Sequence, residues 1–227
     1  MSSRNTPKVV GIGLNKTATK SLALCFQTLG YRNQSYSLEA FRLYQDKNWQ
    51  ALFNIMDEHD SFEDWPWPLM YREIDQRYPD ARFLLTVRKS PEAWYRSLCK
   101  MAVRMGPLSD FEKPIYGYAM PQAAKAEHLA FYENHNAQVR AYFADRPGKL
   151  LEICFDHDVD MTAFCQFLDE PTIELPKPHV NRSANVYAGD NIWLAHLNRI
   201  VFQTHWYSVK ALKHVKGRLK ALLRRPA

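Results

Sequence analysis

The segment that most constrains this chain runs Val9-Val10-Gly11-Ile12-Gly13-Leu14-Asn15-Lys16-Thr17-Ala18-Thr19-Lys20-Ser21-Leu22. It reads as a buried strand, a glycine-bearing turn and a helix start. The first N–H groups of a helix have no internal partner, and the helix dipole favours negative charge there. The Lys16 ammonium and the hydroxyls of Thr17, Thr19 and Ser21 add directed donors. The pattern predicts a cradle for a phosphate-like anion built from Asn15, Lys16, Thr17, Ala18, Thr19, Lys20 and Ser21, with Lys20 contributing backbone more surely than side chain. It is not a Walker P-loop. That motif, G-x-x-x-x-G-K-[ST], needs glycine where this chain has Val10 and Asn15.

A second segment repeats the design. Ala81-Arg82-Phe83-Leu84-Leu85-Thr86-Val87 is an apolar run suited to a buried parallel strand. It leads into Arg88-Lys89-Ser90-Pro91-Glu92. Ser90 is a good N-cap, Pro91 a good first helical residue, and Glu92 suits the dipole. Trp94, Leu98, Met101 and Met105 then recur at helical spacing. A basic pair therefore stands at a second helix mouth, with Ser97 two turns further on.

The rest of the chain alternates in the same way. Strands are expected at Lys8–Ile12, Asp60–Asp64, 81–87 and Lys149–Phe155. Helices are expected at Lys16–Leu29, Ser37–Tyr44, Pro68–Tyr78, Pro91–Met105, Gln122–Phe143 and Asp160–Leu168. Loops cover 106–121 and 171–189, and Asp190 can cap a C-terminal helical region. Strands separated by helices mean βαβ units and a parallel sheet. Ligands then bind outside the carboxyl ends of the strands, where both anion loops lie. The expected class is α/β, a central parallel sheet flanked by helices over residues 1–189, with residues 190–227 as a helical extension packed on it.

Composition narrows the function. The chain has 227 residues, 46% of them hydrophobic and 24% charged, ordinary values for one globular domain. Cys25, Cys99, Cys154 and Cys165 are far apart, which argues against zinc and against a disulfide framework. The net charge of +6 comes from the tail: residues 198–227 hold eight Lys or Arg and no acid. The body is not a nucleic-acid-type basic surface, so no nucleic-acid partner is expected. Polar residues Ser2 to Asn5 and the absence of an apolar run near ~20 residues predict a cytoplasmic protein.

Lys16-Thr17-Ala18-Thr19-Lys20-Ser21 resembles the 5′-phosphosulfate loop of sulfotransferases that use 3′-phosphoadenosine 5′-phosphosulfate (PAPS). Arg88, Lys89 and Ser97 resemble that family's 3′-phosphate site. The family places its Ser eight residues after its Arg. Here Arg88 lies nine before Ser97 and Lys89 eight. One residue is inserted, or Lys89 has taken the role. The resemblance covers roughly residues 8–183 and implies a P-loop-NTPase-like architecture of the small bacterial type. It implies PAPS as donor, adenosine 3′,5′-bisphosphate as product, and in-line transfer to an acceptor hydroxyl on a carbohydrate, lipid or small molecule, with no metal. Phe62-Glu63-Asp64-Trp65-Pro66 falls where the family keeps its base, so Asp64 is the expected base, with Glu63 and His59 in reserve. Lys16 is the expected partner of the leaving phosphate. Pro178-His179-Val180-Asn181-Arg182 resembles a late segment of some bacterial members.

Other residues have two readings. Trp65, Trp67 and Tyr71 are either acceptor-lining or core. His128 and His135 are seven apart on one helix, a solvated or acceptor-lining spacing and not that of a metal pair. The competing functions are a P-loop kinase and a degenerate binding module. The latter rests on the tail, where Phe202, Trp206, Val209, Leu212, Val215, Leu219 and Leu222 alternate with lysines as in a membrane-surface helix. Docking of that stripe on the body is the favoured version, and weak membrane-surface contact through 198–227 the other.

Overall fold

The computed structural model describes residues 7–105, 113–116, 121, 124–157 and 159–172, with 200, 201, 204, 208, 211, 212 and 215 in the tail. The sheet has five strands, all parallel, in the order β2-β3-β1-β4-β5. They are β1 (Val9–Gly11), β2 (Asn33–Gln34), β3 (Ser61–Phe62), β4 (Arg82–Val87) and β5 (Leu150–Cys154). Val9 pairs with Ser61 on one side and Arg82 on the other, which makes β1 central.

Side chains alternate across a strand, so neighbours serve opposite faces. Val9, Leu84 and Ile153 pack against Leu22, Cys25 and Phe26 of α1 (Thr19–Thr28) and Phe164 and Cys165 of α8 (Met161–Phe167). Val10, Phe83 and Leu85 pack on the other face. Their partners come from α2 (Leu38–Gln45), α3 (Trp49–Asp57), α4 (Tyr71–Arg77) and α7 (Lys125–Phe143). Both faces are covered, as a parallel sheet requires. All four cysteines are free, and Cys25 and Cys165 serve as small core residues.

The caps hold as expected. Ser37 accepts from the Ala40 N–H at 3.1 Å, Ser90 from Ala93 at 3.1 Å, and Asp160 from Thr162 and Ala163 at 2.9 and 3.0 Å. Each such cap contributes about 1 kcal/mol. Helix α5 spans Pro91–Met105 as expected.

Several boundaries move. The first helix starts at Thr19 and not Lys16, because Lys16 and Ala18 adopt left-handed backbone with φ of 70° and 71°. The strand expected over Asp60–Asp64 is only Ser61–Phe62, since Asp64 is also left-handed, φ 66°. Pro68–Tyr78 divides into a 3-10 turn at Trp67–Leu69 and α4. The long helix begins at Lys125. Polar edge strand β2 was not expected, nor was α3, capped by Asn48 accepting from the Ala51 N–H at 3.2 Å. A short helix, α6 (Lys113–Tyr116), lies within the expected 106–121 loop.

The chain divides into two compact units. The first, Met1–Trp94 with Tyr132–Asn181, carries the sheet. The second is Tyr95–Phe131 with Arg182–Ala227. Within the second, the Tyr116 ring packs on His128 and Phe131, both at 5.1 Å, and Tyr95 donates to the Pro121 carbonyl at 3.2 Å. The described tail positions are helical, and Ile200, Val201, Leu212 and Val215 are exposed there. Among the described residues no helix is long and apolar enough to cross a membrane. The Asp190 cap and the Pro178–Arg182 segment lie outside the described residues.

Candidate active site

The site forms where β1 gives way to α1. The connecting loop is fixed by its carbonyls. His135 Nε2 donates to the Ile12 carbonyl at 2.7 Å, which sets the imidazole tautomer. Burial lowers the His135 pKa and keeps the ring neutral, although the Ile12 contact opposes this. The Leu14 carbonyl accepts from both the N–H and the hydroxyl of Thr17, at 3.3 and 2.5 Å. Trp94 Nε1 donates to the Asn15 carbonyl at 2.8 Å, and Arg88 Nη1 to the Lys16 carbonyl at 3.2 Å. A trans peptide points its N–H away from its C=O. Anchoring the Leu14 and Asn15 carbonyls inside the fold therefore turns the Asn15 and Lys16 N–H groups the opposite way. Left-handed backbone at Lys16 and Ala18 curves the chain further, the kind of geometry that makes an anion-binding concavity.

Gly13 is needed because of close approach. A Cβ there would overlap the hydroxyl and carbonyl oxygens of Thr86 on β4. Thr86 Oγ1 also lies 2.6 Å from Thr17 Oγ1. A hydroxyl has one proton, and Thr17's goes to Leu14, so Thr86 is the donor in that pair. Thr17 is fully buried, and its hydroxyl braces the loop from within.

Helix α1 then opens with no side-chain cap and no acid in its first turn. The positive end of its dipole is left for a ligand or solvent. Thr19 and Ser21 are buried and Lys20 is exposed.

Asp64 stands at the rim. Its Oδ1 accepts from the Trp65 N–H at 2.9 Å and its Oδ2 from the Thr19 hydroxyl at 3.3 Å. Burial raises its pKa above the ordinary carboxylate value. The Trp65 and Thr19 bonds and the charges of Lys16 and Lys20 oppose that rise. The carboxyl is thus within the field of Lys16 and Lys20 and directly bonded to the first residue of α1.

Glu63 lies behind it, 1% exposed, with neither carboxyl oxygen hydrogen-bonded among the described residues. Burial, with the Asp64 charge adding to it, pushes its pKa up to about 8. Ser35, Asn33 and Lys20 pull it back only in part. Folding therefore takes up a proton at Glu63 between its ordinary 4.5 and about 8, so stability falls as pH rises through that window. Glu63→Gln removes the cost of ionisation. Its stability relative to the wild type should improve by on the order of 4 kcal/mol between about pH 5 and pH 8.5, read from urea midpoints. A difference that does not change with pH would rule out the proton on Glu63.

Of the other candidates, His59 sits before β3 at the amino end of the sheet, its Nδ1 2.9 Å from the Ile55 carbonyl. It stands on the wrong side to act as base. Trp65, Trp67 and Tyr71 are buried, Trp67 packing at a tilt on Phe62 with ring centroids 4.8 Å apart, so these rings are core. His128 is buried with Nδ1 2.6 Å from the Ala124 carbonyl, and is not solvated.

At the second mouth, Arg88 Nε donates to Asp156 Oδ2 at 2.7 Å, and its N–H donates to the Tyr132 hydroxyl at 2.9 Å. Lys89 is exposed, and its N–H donates to the same Asp156 oxygen at 2.9 Å. Ser97 is buried and belongs to the second unit. Sequence reasoning missed Asp156, Tyr132, Thr86 and the loop-holding role of His135. For Asp156 a signal existed: an acid just beyond the carboxyl end of β5, on the ligand side of the sheet.

A family model for the sulfotransferase domain matches residues 8–186, most of the chain. The chain belongs to the sulfotransferase family. The sulfotransferase is also similar to "Ava biosynthesis cluster protein M" of Aspergillus versicolor. The two are 25% identical over 213 residues, covering 76% of this chain and 80% of that one. The β1–α1 loop, Asp64 and the Arg88–Lys89 pair all fall inside the matched domain.

Proposed function

We infer that this sulfotransferase moves a sulfonyl group from PAPS to an acceptor hydroxyl. The observation that carries the reading is the pairing of an uncapped helix mouth, rimmed by Lys16, with the Asp64 carboxyl bonded to Thr19 at that same mouth. The mouth suits an anion, and the carboxyl suits a proton acceptor beside it. When bound, PAPS supplies a sulfur already activated by its phosphate leaving group.

Each residue then has a task. The first-turn N–H groups of Thr19 and Lys20, with the Ser21 hydroxyl, hold the 5′-phosphate. Lys16 directs its ammonium to the oxygen on which charge grows as the sulfur–oxygen bond breaks. Asp64 takes the acceptor's proton as the hydroxyl oxygen joins the sulfur. The products are a sulfate ester and adenosine 3′,5′-bisphosphate. The acceptor is a carbohydrate, lipid or small-molecule hydroxyl.

Thermal shift tests the donor. Adenosine 3′,5′-bisphosphate at about a hundredfold over its Kd should raise the Tm by about 5–10 °C without added metal, and ATP with Mg²⁺ should not. A shift with ATP–Mg²⁺ alone would replace this reading with phosphoryl transfer.

A further inference from the structure

The β1–α1 loop and Asp64 belong to the sheet-bearing unit, whereas the tail belongs to the second. No step of the sulfonyl transfer calls on the tail, yet its composition is unlike the rest of the chain. Residues 198–227 hold eight Lys or Arg and no acid.

The described tail positions, 200, 201, 204, 208, 211, 212 and 215, are all helical and all exposed, and none is charged. At 3.6 residues per turn their spacing confines them to one stripe, about a third of a helix circumference. Ile200, Val201, Leu212 and Val215 on it are between 45% and 61% exposed. The Thr204 hydroxyl donates to the Ile200 carbonyl at 2.9 Å, which spends its proton on its own helix. Single exposed aliphatics are ordinary, but these four share a stripe. Elsewhere among the described residues only Tyr36 and Leu38 are large, apolar and exposed. In sequence Lys210, Lys213 and Lys216 interleave with Ala211, Leu212 and Val215.

The two features together select a partner. Nucleic acid would neutralise the cations and leave the aliphatics in water. A second copy would cover the aliphatics but bring like-charged segments together. A bilayer with acidic headgroups answers both, offering phosphate and carboxylate charge above an acyl layer. A segment with this many cations lies on such a surface and does not cross it.

We propose that residues 198–227 dock this protein on an anionic lipid bilayer, with the Ile200–Val215 stripe entering the boundary between headgroups and acyl chains. The proposal goes beyond the PAPS reading and does not depend on it.

Co-sedimentation of the full chain with vesicles tests it. Phosphatidylcholine vesicles containing phosphatidylserine should bind at least about tenfold more tightly than phosphatidylcholine alone. That binding should fall between about 0.1 M and about 1 M salt, as the Debye length shrinks from about 10 Å to about 3 Å. Replacing Lys210, Lys213 and Lys216 together by Gln should weaken it by about a hundredfold. Leu212→Gln with Val215→Gln keeps the charge and the helix propensity, and should weaken it by about tenfold or more. Neither variant should change the Tm, the molecular mass in solution or the turnover. Failure of the wild type to bind either vesicle overturns the proposal, as does equal binding to both. Unchanged vesicle affinity in the Leu212→Gln, Val215→Gln variant overturns it in favour of a purely electrostatic partner. A Tm lowered by several degrees in that variant would instead show the stripe packed on the body, and a halved mass would show it packed on a second copy.

Discussion

Asp64→Asn is expected to lower acceptor-dependent turnover by about 10²–10⁴-fold while adenosine 3′,5′-bisphosphate still binds. The substitution keeps the shape of the side chain. The amide oxygen can still accept from the Trp65 N–H, and the amide nitrogen can face the Thr19 hydroxyl, which accepts as readily as it donates. What is lost is the ability to take a proton. Removing a negative charge from beside Lys16 and Lys20 leaves those cations at least as available to a phosphate. In the wild type, burial holds the Asp64 pKa above the ordinary carboxylate value, so turnover should fall as pH drops through that raised value. The acidic limb of kcat should therefore lie at higher pH than for an exposed aspartate, and the variant should lack it. Undiminished turnover by Asp64→Asn would move the base elsewhere. Glu63 would be the first residue to test, because His59 lies at the amino end of the sheet.

The sequence reveals what is local and leaves hidden what is distant. Caps at Ser37, Ser90 and Asp160 are legible because a side chain reaches a backbone two or three residues away. The same holds for α5, where Ser90, Pro91 and Glu92 start a helix in order. Strands β4 and β5 are legible as apolar runs between helices. Helix α3 is not, since only Leu52 and Met56 are buried on it and no strong cap dipeptide announces it. Strand β2, two polar residues, gains its identity from pairing with β3, which no local pattern records. The site follows the same rule. Lys16-Thr17-Ala18-Thr19-Lys20-Ser21 announces an anion loop, but Thr17 carries its hydroxyl inward because Thr86 lies across from it, 69 residues away in the chain. Likewise the late helix start comes from left-handed Lys16 and Ala18, non-glycine residues whose conformation the carbonyl anchors impose. Arg88 is legible as a cation at a helix mouth, but its bond to Asp156, 68 residues on, is not.

Lys16→Ala should lower kcat by about 10²–10³-fold, the loss measured when one preorganised donor to developing charge is removed. The backbone argument makes this a clean test. Lys16 has φ of 70°, and alanine meets the same left-handed penalty as lysine, so the loop gains no new strain. The anchors that shape the loop act on main-chain atoms: Arg88 on the Lys16 carbonyl, Trp94 on the Asn15 carbonyl. They survive the truncation. Nucleotide binding should weaken much less than turnover, because the first-turn N–H groups of α1 and the dipole behind them remain. The Lys16 charge is also one of the influences opposing the rise of the Asp64 pKa, so its removal should push the acidic limb to higher pH. Steady-state kinetics with PAPS over a pH series reads both effects in one experiment. A variant with unchanged kcat would free Lys16 from the leaving phosphate. A variant whose kcat falls while its acidic limb stays in place would break the electrostatic link between the loop lysine and Asp64.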